Sequence, residues 1–485
     1  MTAAEGSALA RRRVLVLAYR FPPQGGGGIQ RTLKFVKHLR SYGWQPVVHT
    51  VSNPYNRLRD ESLLAEIPAD VHVYRTAGFE FERMEGRLSA LRDGLRRLRG
   101  RASSFKQPDA AGASDASEDV PGALPEREAR RRRGGRFAKL QDFVWSHFLV
   151  PDPQIAWVPA AFLRSLWIIR REGITAIYSS TPPHSVQVLA LALQRWTGLP
   201  WVADLRDLWT EALHRQQWYV GNAARQAREE NWERSVFERA DRILVTSDNA
   251  RDSLLRKHRE RPPDKIVVIT NGFDPDDFAH IQATPRFLEP GLLHVTLTGS
   301  VETMFDLMPL FTAVDELVHA DPKARAVLRL NFVGTKRQAR YDTFIEQRGL
   351  SEIIRFYGYV AHGDALQYIA ESQVSMIAMA ERLDSSGVKL AAKMFEYIYL
   401  RKPVLALIIP GMTTRLLEQT GLGISANPDD LAAIKAILTR LVEQFVGAGI
   451  HVDADESVIA RYDRRLQSQR LAGILDTAAA RRLAG

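Results

Sequence analysis

The chain has 485 residues, enough for two domains of ordinary size, and the composition of a globular protein. It contains no cysteine, which excludes disulfides, thiolate metal sites and a cysteine nucleophile, and it has a formal net charge of +10. No apolar run approaches the ~20 residues that cross a bilayer, and no secretory signal is evident. We therefore expect a cytoplasmic protein.

The first predicted elements are a strand, a glycine loop and a helix. VLVLAY (Val14 to Tyr19) has the β-branched pattern of a buried strand, and Ile29, Leu33, Val36 and Leu39 form one helical stripe. Between them lie Gly25, Gly26, Gly27 and Gly28. A helix that begins on glycines directs backbone N–H groups towards the loop, which suits a phosphate or a sugar hydroxyl, but a mobile connector stays an alternative. The loop lacks the Lys-Ser/Thr of a P-loop, and Arg31 replaces the third glycine of a dinucleotide fingerprint.

A basic block interrupts the first half of the chain. Residues Arg83 to Arg101 predict a basic amphipathic helix, Ala102 to Pro125 predict disorder, and Arg130 to Arg133 add four adjacent arginines. Few aromatics accompany these cations, so we do not expect nucleic acid as a partner. An anionic membrane surface fits the residues Arg83 to Arg136 better, and a solvated insertion without function is the alternative.

Strands and helices alternate through the rest of the chain, which predicts an α/β protein with two parallel sheets, each in a Rossmann-like domain. The strands expected are Val14–Tyr19, Pro46–Val51, Val71–Arg75, Thr175–Ser179, Trp201–Asp204, Arg242–Thr246 and Ile266–Ile269, then His294–Thr298, Val327–Val333, Ile353–Tyr357, Val374–Met379 and Val404–Ile408. The expected domains are 1–285 with the insertion at about 80–140, then 286–455. The tail 456–485 predicts one long helix that crosses back to the first domain.

Ligands of parallel sheets bind at the carboxyl ends of strands, which directs attention to particular loops. In the first domain these are the glycine loop, SSTPPHS (Ser179 to Ser185) and DLRDLW (Asp204 to Trp209). In the second domain they are the loops at Gly299, VGTKR (Val333 to Arg337), GYVAH (Gly358 to His362) and SSGVK (Ser385 to Lys389). Two such edges facing each other would make a cleft.

Several motifs in order carry a family resemblance that spans nearly the whole chain apart from the insertion. They are YRFPPQGGGGIQR, PDPQIAWVPAA, SSTPPHS, TGLPWVADLRDLW, ERADRILVTSD, ITNGFDPDDF, KMFEYIYLRKPVLAL and EQTGLG. With them the chain resembles the glycosyltransferase family 4-like enzymes of GT-B fold. The resemblance implies a retaining, metal-independent transfer of a sugar from a nucleotide-diphosphate donor, with no further cofactor.

The resemblance also implies roles for individual residues. Glu396 matches the carboxylate that binds the donor ribose, Lys393 lies on the same helix face, and Gly299 and Ser300 match the turn beside the donor phosphates. Gly358 and Val360 would frame the base, and Lys336, Arg337 and Lys389 are further cations. On the acceptor side the candidates are Asp204, Arg206, Asp207 and His184. The alternatives that stay open are an internal salt bridge for the first three and a helix cap for His184.

The sequence departs from the family pattern at three points. GSVETMFDLM (Gly299 to Met308) has no cation where relatives carry an arginine and a lysine, Val388 replaces the first glutamate of a Glu-x7-Glu pair, and Arg401 replaces a glycine. Asp274-Pro275-Asp276 has the spelling of a metal-binding motif, but we interpret it as a turn. We expect transfer to a glycan or lipid-linked acceptor in cell-envelope or exopolysaccharide synthesis. The alternatives are a nucleotide-sugar epimerase of similar fold and a non-catalytic GT-B subunit.

Overall fold

The computed structural model describes residues 12–54, 59–78, 149–211, 222–260, 262–299, 301, 305–335, 337–379 and 393–483. The predicted basic block lies outside these residues, as do Ser300, Lys336, Val388 and Lys389. Within the described part of the chain, no helix is both long and apolar enough to cross a membrane.

Two parallel sheets organise the chain. The first has seven strands in the order β3-β2-β1-β4-β5-β6-β7, and the second has six in the order β10-β9-β8-β11-β12-β13. The strands of the first sheet are β1 Arg12–Ala18, β2 Trp44–Val51, β3 His72–Thr76, β4 Ala176–Ser180, β5 Trp201–Leu205, β6 Arg242–Val245 and β7 Ile266–Val268. Those of the second are β8 Leu293–Thr298, β9 Leu328–Val333, β10 Ile354–Gly358, β11 Val374–Ala378, β12 Val404–Leu407 and β13 Gly423–Ala426.

Helices connect these strands. The described α-helices are α1 Gly27–His38, α2 Val158–Glu172, α3 Ser185–Thr197, α4 Ala223–Arg239, α5 Asp248–Lys257, α6 Met308–Ala320, α7 Pro322–Val327, α8 Ala339–Gln347, α9 His362–Glu371, α10 Met394–Tyr399, α11 Met412–Gln419, α12 Leu431–Val446, α13 Glu456–Ile459 and α14 Arg464–Leu483. The predicted α/β class with two Rossmann-like sheets is confirmed.

Each sheet has its own core. In the first, β1 and β4 contribute fully buried residues such as Val14, Leu15 and Ile177, and the predicted α1 stripe from Ile29 to Leu39 is buried. In the second, a separate cluster includes Leu293, Phe311 and Phe332. Apolar residues on both faces of each central strand explain the continuous hydrophobic runs in the sequence.

The chain divides into two compact units. The first comprises 1–245, 261–267 and 469–485, and the second comprises 246–260 and 268–468. This division differs from the boundary that the sequence suggested at 285, because residues 268–285 group with the second sheet. Residues 469–485 group with the first unit, in which Asp476 accepts hydrogen bonds from Trp44 and Arg12, both at 2.8 Å.

The long helix expected from Glu456 onward is interrupted. Helix α13 ends at Ile459, and α14 begins at Arg464 after a short 3-10 turn. At the interruption, Asp463 forms a parallel bridge with Phe273, whose N–H donates to Tyr462 O at 3.0 Å. The distant segment around Phe273 therefore competes with helix continuation for these backbone groups.

Candidate functional site

One guanidinium joins the three loops at the carboxyl edge of the first sheet. Arg206, after β5, donates hydrogen bonds to the carbonyls of Gly28 in the glycine loop and Thr181 after β4. Its backbone N–H also donates to Thr181 Oγ1 at 3.2 Å. The structure thus brings together the three predicted first-domain loops, with Arg206 as the link between them.

A buried ion pair lies beside this link. Arg31, in the first turns of α1, donates from Nε and Nη2 to the two carboxylate oxygens of Asp204 at 2.9 and 3.0 Å. Asp204 is fully buried, and its Oδ2 also accepts from Tyr178 at 2.6 Å and from Ser180 at 3.2 Å. Asp204 therefore forms an internal salt bridge, which is the alternative that the sequence left open.

The pair is electrostatically matched. Burial by itself would raise the pKa of Asp204. The charge and hydrogen bonds of Arg31, with the hydrogen bond from Tyr178 and the charge of Arg206, outweigh burial, so the pKa is lowered. Burial, followed by the negative charge of Asp204, raises the pKa of Tyr178 well above its ordinary value. At neutral pH the site holds an ionised carboxylate, a guanidinium and a neutral phenol, which suits positioning of the loops.

The other acceptor-side candidates occupy different environments. Asp207 is half-buried in the loop after β5. His184 is only 3% exposed, and its ring stacks on Trp209 with centroids 4.7 Å apart. His184 occupies the N-cap position of α3, where its carbonyl accepts from Gln187 N at 2.9 Å, and its ring makes no side-chain capping bond.

The glycine loop leads directly into α1. Gly26 has φ 105°, a conformation that L side chains rarely adopt, and it is the N-cap residue. The helix from Gly27 has no side-chain cap and no acid in its first turn. Gly25 is buried and Gly28 lies against Arg206. The local geometry is that of a bare helix start, as the sequence predicts.

Three glycine turns line the carboxyl edge of the second sheet. Gly299 after β8, Gly334 after β9 and Gly358 at the end of β10 all have positive φ. Gly334 N donates to Gly358 O at 2.6 Å, and Thr335 Oγ1 donates to Gly299 O at 2.8 Å. A Cβ on Gly334 would lie 3.2 Å from the backbone of Gly299, so a side chain there would require the Gly299 turn to shift by a few tenths of an ångström.

Helix α10 brings the predicted donor-binding pair to this edge. A Cβ on Gly299 would lie 3.5 Å from Lys393 Nζ, so the ammonium group is next to the glycine turn. Glu396, one turn further, has an oxygen 3.9 Å from His362 Nε2 at the start of α9. Tyr397 fixes the helix to β8, because its hydroxyl accepts from Thr298 N at 3.2 Å.

The remaining donor-side candidates are placed as follows. Arg337 is exposed and pairs with Asp342 at 2.6 Å. Val360 packs with Leu288 and Tyr368.

The Asp274-Pro275-Asp276 segment forms a turn. Asp274 is buried and accepts from Asp276 N at 3.2 Å, at the start of a short 3-10 helix. Asp276 pairs with Arg465 at 2.5 Å. The interpretation of this segment as a turn is therefore confirmed.

Residues 120–277 match the family model Glycosyltransferase Family 4. The predicted resemblance is confirmed. The architecture of two parallel sheets, with similar solved structures, further shows that the chain has the GT-B fold. No curated protein matches the chain by sequence.

Three crystal structures illustrate the GT-B likeness. HepE of Anabaena in complex with UDP-glucose is 14% identical with a TM-score of 0.57, over 96% of this chain and 99% of that one. The UDP-GlcNAc 2-epimerase of Neisseria meningitidis bound to UDP-GlcNAc is 12% identical with a TM-score of 0.53, over 96% and 100%. WaaG, a glycosyltransferase involved in lipopolysaccharide biosynthesis, is 12% identical with a TM-score of 0.52, over 97% and 100%.

Sequence reasoning missed three residues of this GT-B chain. Arg31 and Tyr178 hold Asp204, and Tyr397 fixes the helix that carries Lys393 and Glu396. In the sequence, Arg31 was noted only because it replaces the third glycine of a dinucleotide fingerprint. The available signal was chemical: a carboxylate in a buried strand requires a cation, and an arginine at a helix start after another strand of the same sheet can supply it.

Proposed function

We propose that this protein is a retaining, metal-independent glycosyltransferase. It moves a sugar from a nucleotide-diphosphate donor to a glycan or lipid-linked acceptor in cell-envelope or exopolysaccharide synthesis. The second unit binds the donor and the first unit carries the acceptor-side groups. No cofactor other than the nucleotide-sugar substrate takes part.

The observation that carries the proposal is the position of Lys393 Nζ beside the Gly299 turn. As the glycosidic bond breaks, negative charge grows on the diphosphate, and a cation already in place stabilises that charge without reorganising. The segment Gly299 to Met308 has no basic side chain, although the family resemblance predicts two there. Lys393 therefore supplies the main positive charge at this turn, and Lys336 and Lys389 are further candidates.

Glu396 binds the donor ribose in this proposal. Glu396 lies in the first turn of the short helix α10, whose N-cap residue is Lys393, and its carboxylate accepts hydrogen bonds from vicinal hydroxyls. The crystal structure of HepE with UDP-glucose supports a nucleotide-sugar donor for a chain of this fold. Gly358 and Val360 frame the base at the adjacent strand end.

Two contacts of the Asp274-Pro275-Asp276 segment support metal-independent transfer. Asp274 is buried in its turn and Asp276 pairs with Arg465, so this Asp-x-Asp segment would have to break existing contacts to hold a cation. A lysine beside the diphosphate supplies the positive charge that a metal ion would otherwise provide.

The acceptor side of the first unit uses Arg206 and Asp207 to orient the acceptor, with His184 close to the same loop edge. Asp204 acts through Arg31 and does not touch substrate. We place the enzyme at the cytoplasmic face of a membrane, with the basic residues Arg83 to Arg136 near anionic lipid.

A donor screen with the purified full chain tests this function. The full chain is incubated with UDP- and GDP-sugars and with lipid-linked and oligosaccharide acceptors, with and without EDTA, and products are analysed by mass spectrometry and NMR. We expect one donor to give a glycoside with its anomeric configuration retained, undiminished by EDTA. An inverted product, or activity that EDTA abolishes, would contradict the mechanism.

A nucleotide-sugar epimerase is the second candidate function, favoured by the likeness to the Neisseria meningitidis UDP-GlcNAc 2-epimerase. It would change the sugar without any acceptor present, whereas a transferase requires one. A non-catalytic subunit would leave every donor intact under both conditions. The same screen, run with and without acceptors, therefore distinguishes a transferase, an epimerase and a non-catalytic subunit.

A further inference from the structure

Helices α2 and α3 carry an exposed apolar surface on the first unit. Leu163 and Trp196 are each 70% exposed, and Trp167 is 41% exposed. The ring of Phe162 meets Trp196 edge to face, with centroids 6.2 Å apart. A tryptophan and a leucine exposed to this degree on packed neighbouring helices are typical of an interaction site.

Arginines surround these apolar groups. Arg164 and Arg171 lie over the ring of Trp167, at 4.1 and 5.0 Å from its centroid. Arg170 and Arg195 are exposed on the same two helices. We call these four arginines, together with Phe162, Leu163, Trp167 and Trp196, the tryptophan-arginine face.

The negative charge of these two helices is neutralised. Their one acidic residue, Glu172, is 6% exposed. It accepts from Arg13 at 2.7 Å, from Tyr74 at 2.5 Å, and lies 3.0 Å from His72 Nδ1. The tryptophan-arginine face therefore presents apolar area and positive charge with no exposed carboxylate from either helix.

We propose that the tryptophan-arginine face docks on a phospholipid bilayer with anionic headgroups. Tryptophan suits the boundary between headgroups and acyl chains because its ring is apolar and its N–H is polar. The arginines lie at headgroup level, where each basic residue adds attraction to anionic lipid. A second copy of the chain is a poorer occupant, because a symmetric contact would set the same arginines against each other.

The location of this face is compatible with catalysis at the loops. Trp196 is in the last turn of α3, which leads to the start of β5, so it lies towards the amino ends of the strands. The loops that hold Arg206 and the glycines follow the carboxyl ends. Docking through α2 and α3 leaves that edge open, and it does not depend on transfer activity.

Vesicle co-sedimentation without substrate tests the proposal. The full chain is mixed with vesicles of phosphatidylcholine alone, or of equal parts of phosphatidylcholine and phosphatidylglycerol. We expect binding to the anionic vesicles, and a loss of about tenfold or more in affinity for the double variant Leu163→Glu with Trp196→Glu, because charged groups then replace the apolar contacts. The variant Arg170→Gln with Arg195→Gln should weaken binding to anionic vesicles only.

The matched control adds the same two charges elsewhere. Val446 and Leu466 are 50% and 47% exposed on the second unit, and the double change of both to Glu should bind like the wild type. Circular dichroism checks that each variant is folded, which is expected because the changed side chains are mostly exposed.

Four results would overturn the proposal. The first is that the wild type does not bind anionic vesicles, and the second is that the Leu163/Trp196 variant binds them as well as the wild type. The third is that deletion of residues 83–136 abolishes all binding. The fourth is that the Leu163/Trp196 variant changes its oligomeric state while its vesicle binding stays intact. The last result would assign the face to a second copy. A nucleotide-sugar transfer assay is not part of this test, so the two proposals fail separately.

Discussion

At the scale of single residues, the pair of Arg31 and Asp204 organises the first unit's candidate site. The two side chains are 1% and 0% exposed and are 173 positions apart in sequence. A buried pair contributes little compared with an apolar replacement, but removal of one partner leaves an uncompensated charge. This pair is therefore expected to hold the start of α1 against β5.

The substitution Asp204→Asn tests this role. We expect a loss of roughly 3 kcal/mol in the free energy of unfolding, since Arg31 would stay buried without a counter-charge. The matched change Asp207→Asn, in the same loop but half-buried, should cost under about 1 kcal/mol. Urea unfolding followed by circular dichroism measures both, and equal losses for the two variants would contradict the assignment.

Sequence reasoning named Asp204 but not its partner. A strand-end carboxylate is visible in the sequence, whereas the pairing depends on which helix start reaches it in the folded sheet. Lys393 and Glu396 were easier to predict as a pair, because residues three apart on a helix share a face whatever surrounds them. The contact of Lys393 with Gly299 is again long-range and required the structure.

At the scale of elements, every expected strand is present, with ends within two residues of the prediction. The apolar runs of central strands such as β1 and β8 are strong signals because both faces are buried. The strand β13 was not expected. It is a short edge strand that begins with Gly423 and is only partly buried, so its sequence lacks a continuous apolar run.

The end of α10 explains one departure from the family pattern. Arg401, which replaces the glycine expected from the family resemblance, has φ 49° and is the one non-glycine residue with positive φ among those described. Its side chain pairs with the exposed Glu456 and donates to the carbonyl of Tyr399. The backbone conformation that favours glycine is thus kept, and the side chain makes compensating contacts.

Substitution of Arg401 separates the effect of its backbone conformation from the effect of its side-chain contacts. We expect Arg401→Gly to keep or raise the melting temperature, because it removes about 1 kcal/mol of backbone strain while the exposed pair contributes little. Arg401→Val should lower it, because a β-branched residue is disfavoured at positive φ and the pair is lost as well. Differential scanning calorimetry gives the order of the melting temperatures. A glycine variant that melts below the valine variant would refute this explanation.

At the scale of the whole molecule, we propose that the second unit binds the donor. The glycine turns at Gly299 and Gly334, the helix that carries Lys393 and Glu396, and the nearby His362 all belong to that unit. The GT-B fold accommodates both transferases and an epimerase among the solved structures, so the fold alone does not define the reaction. Donor binding through these particular side chains is the central claim.

Calorimetric titration of the full chain with a panel of UDP- and GDP-sugars tests that claim most directly. We expect one nucleotide sugar to bind, with affinity reduced at least about tenfold by Lys393→Ala and by Glu396→Gln, since each removes a charged contact to the donor. The exposed Lys435→Ala, which only breaks the pair with Glu316, should bind like the wild type. No binding by any nucleotide sugar, or unchanged affinity in both site variants, would contradict the account.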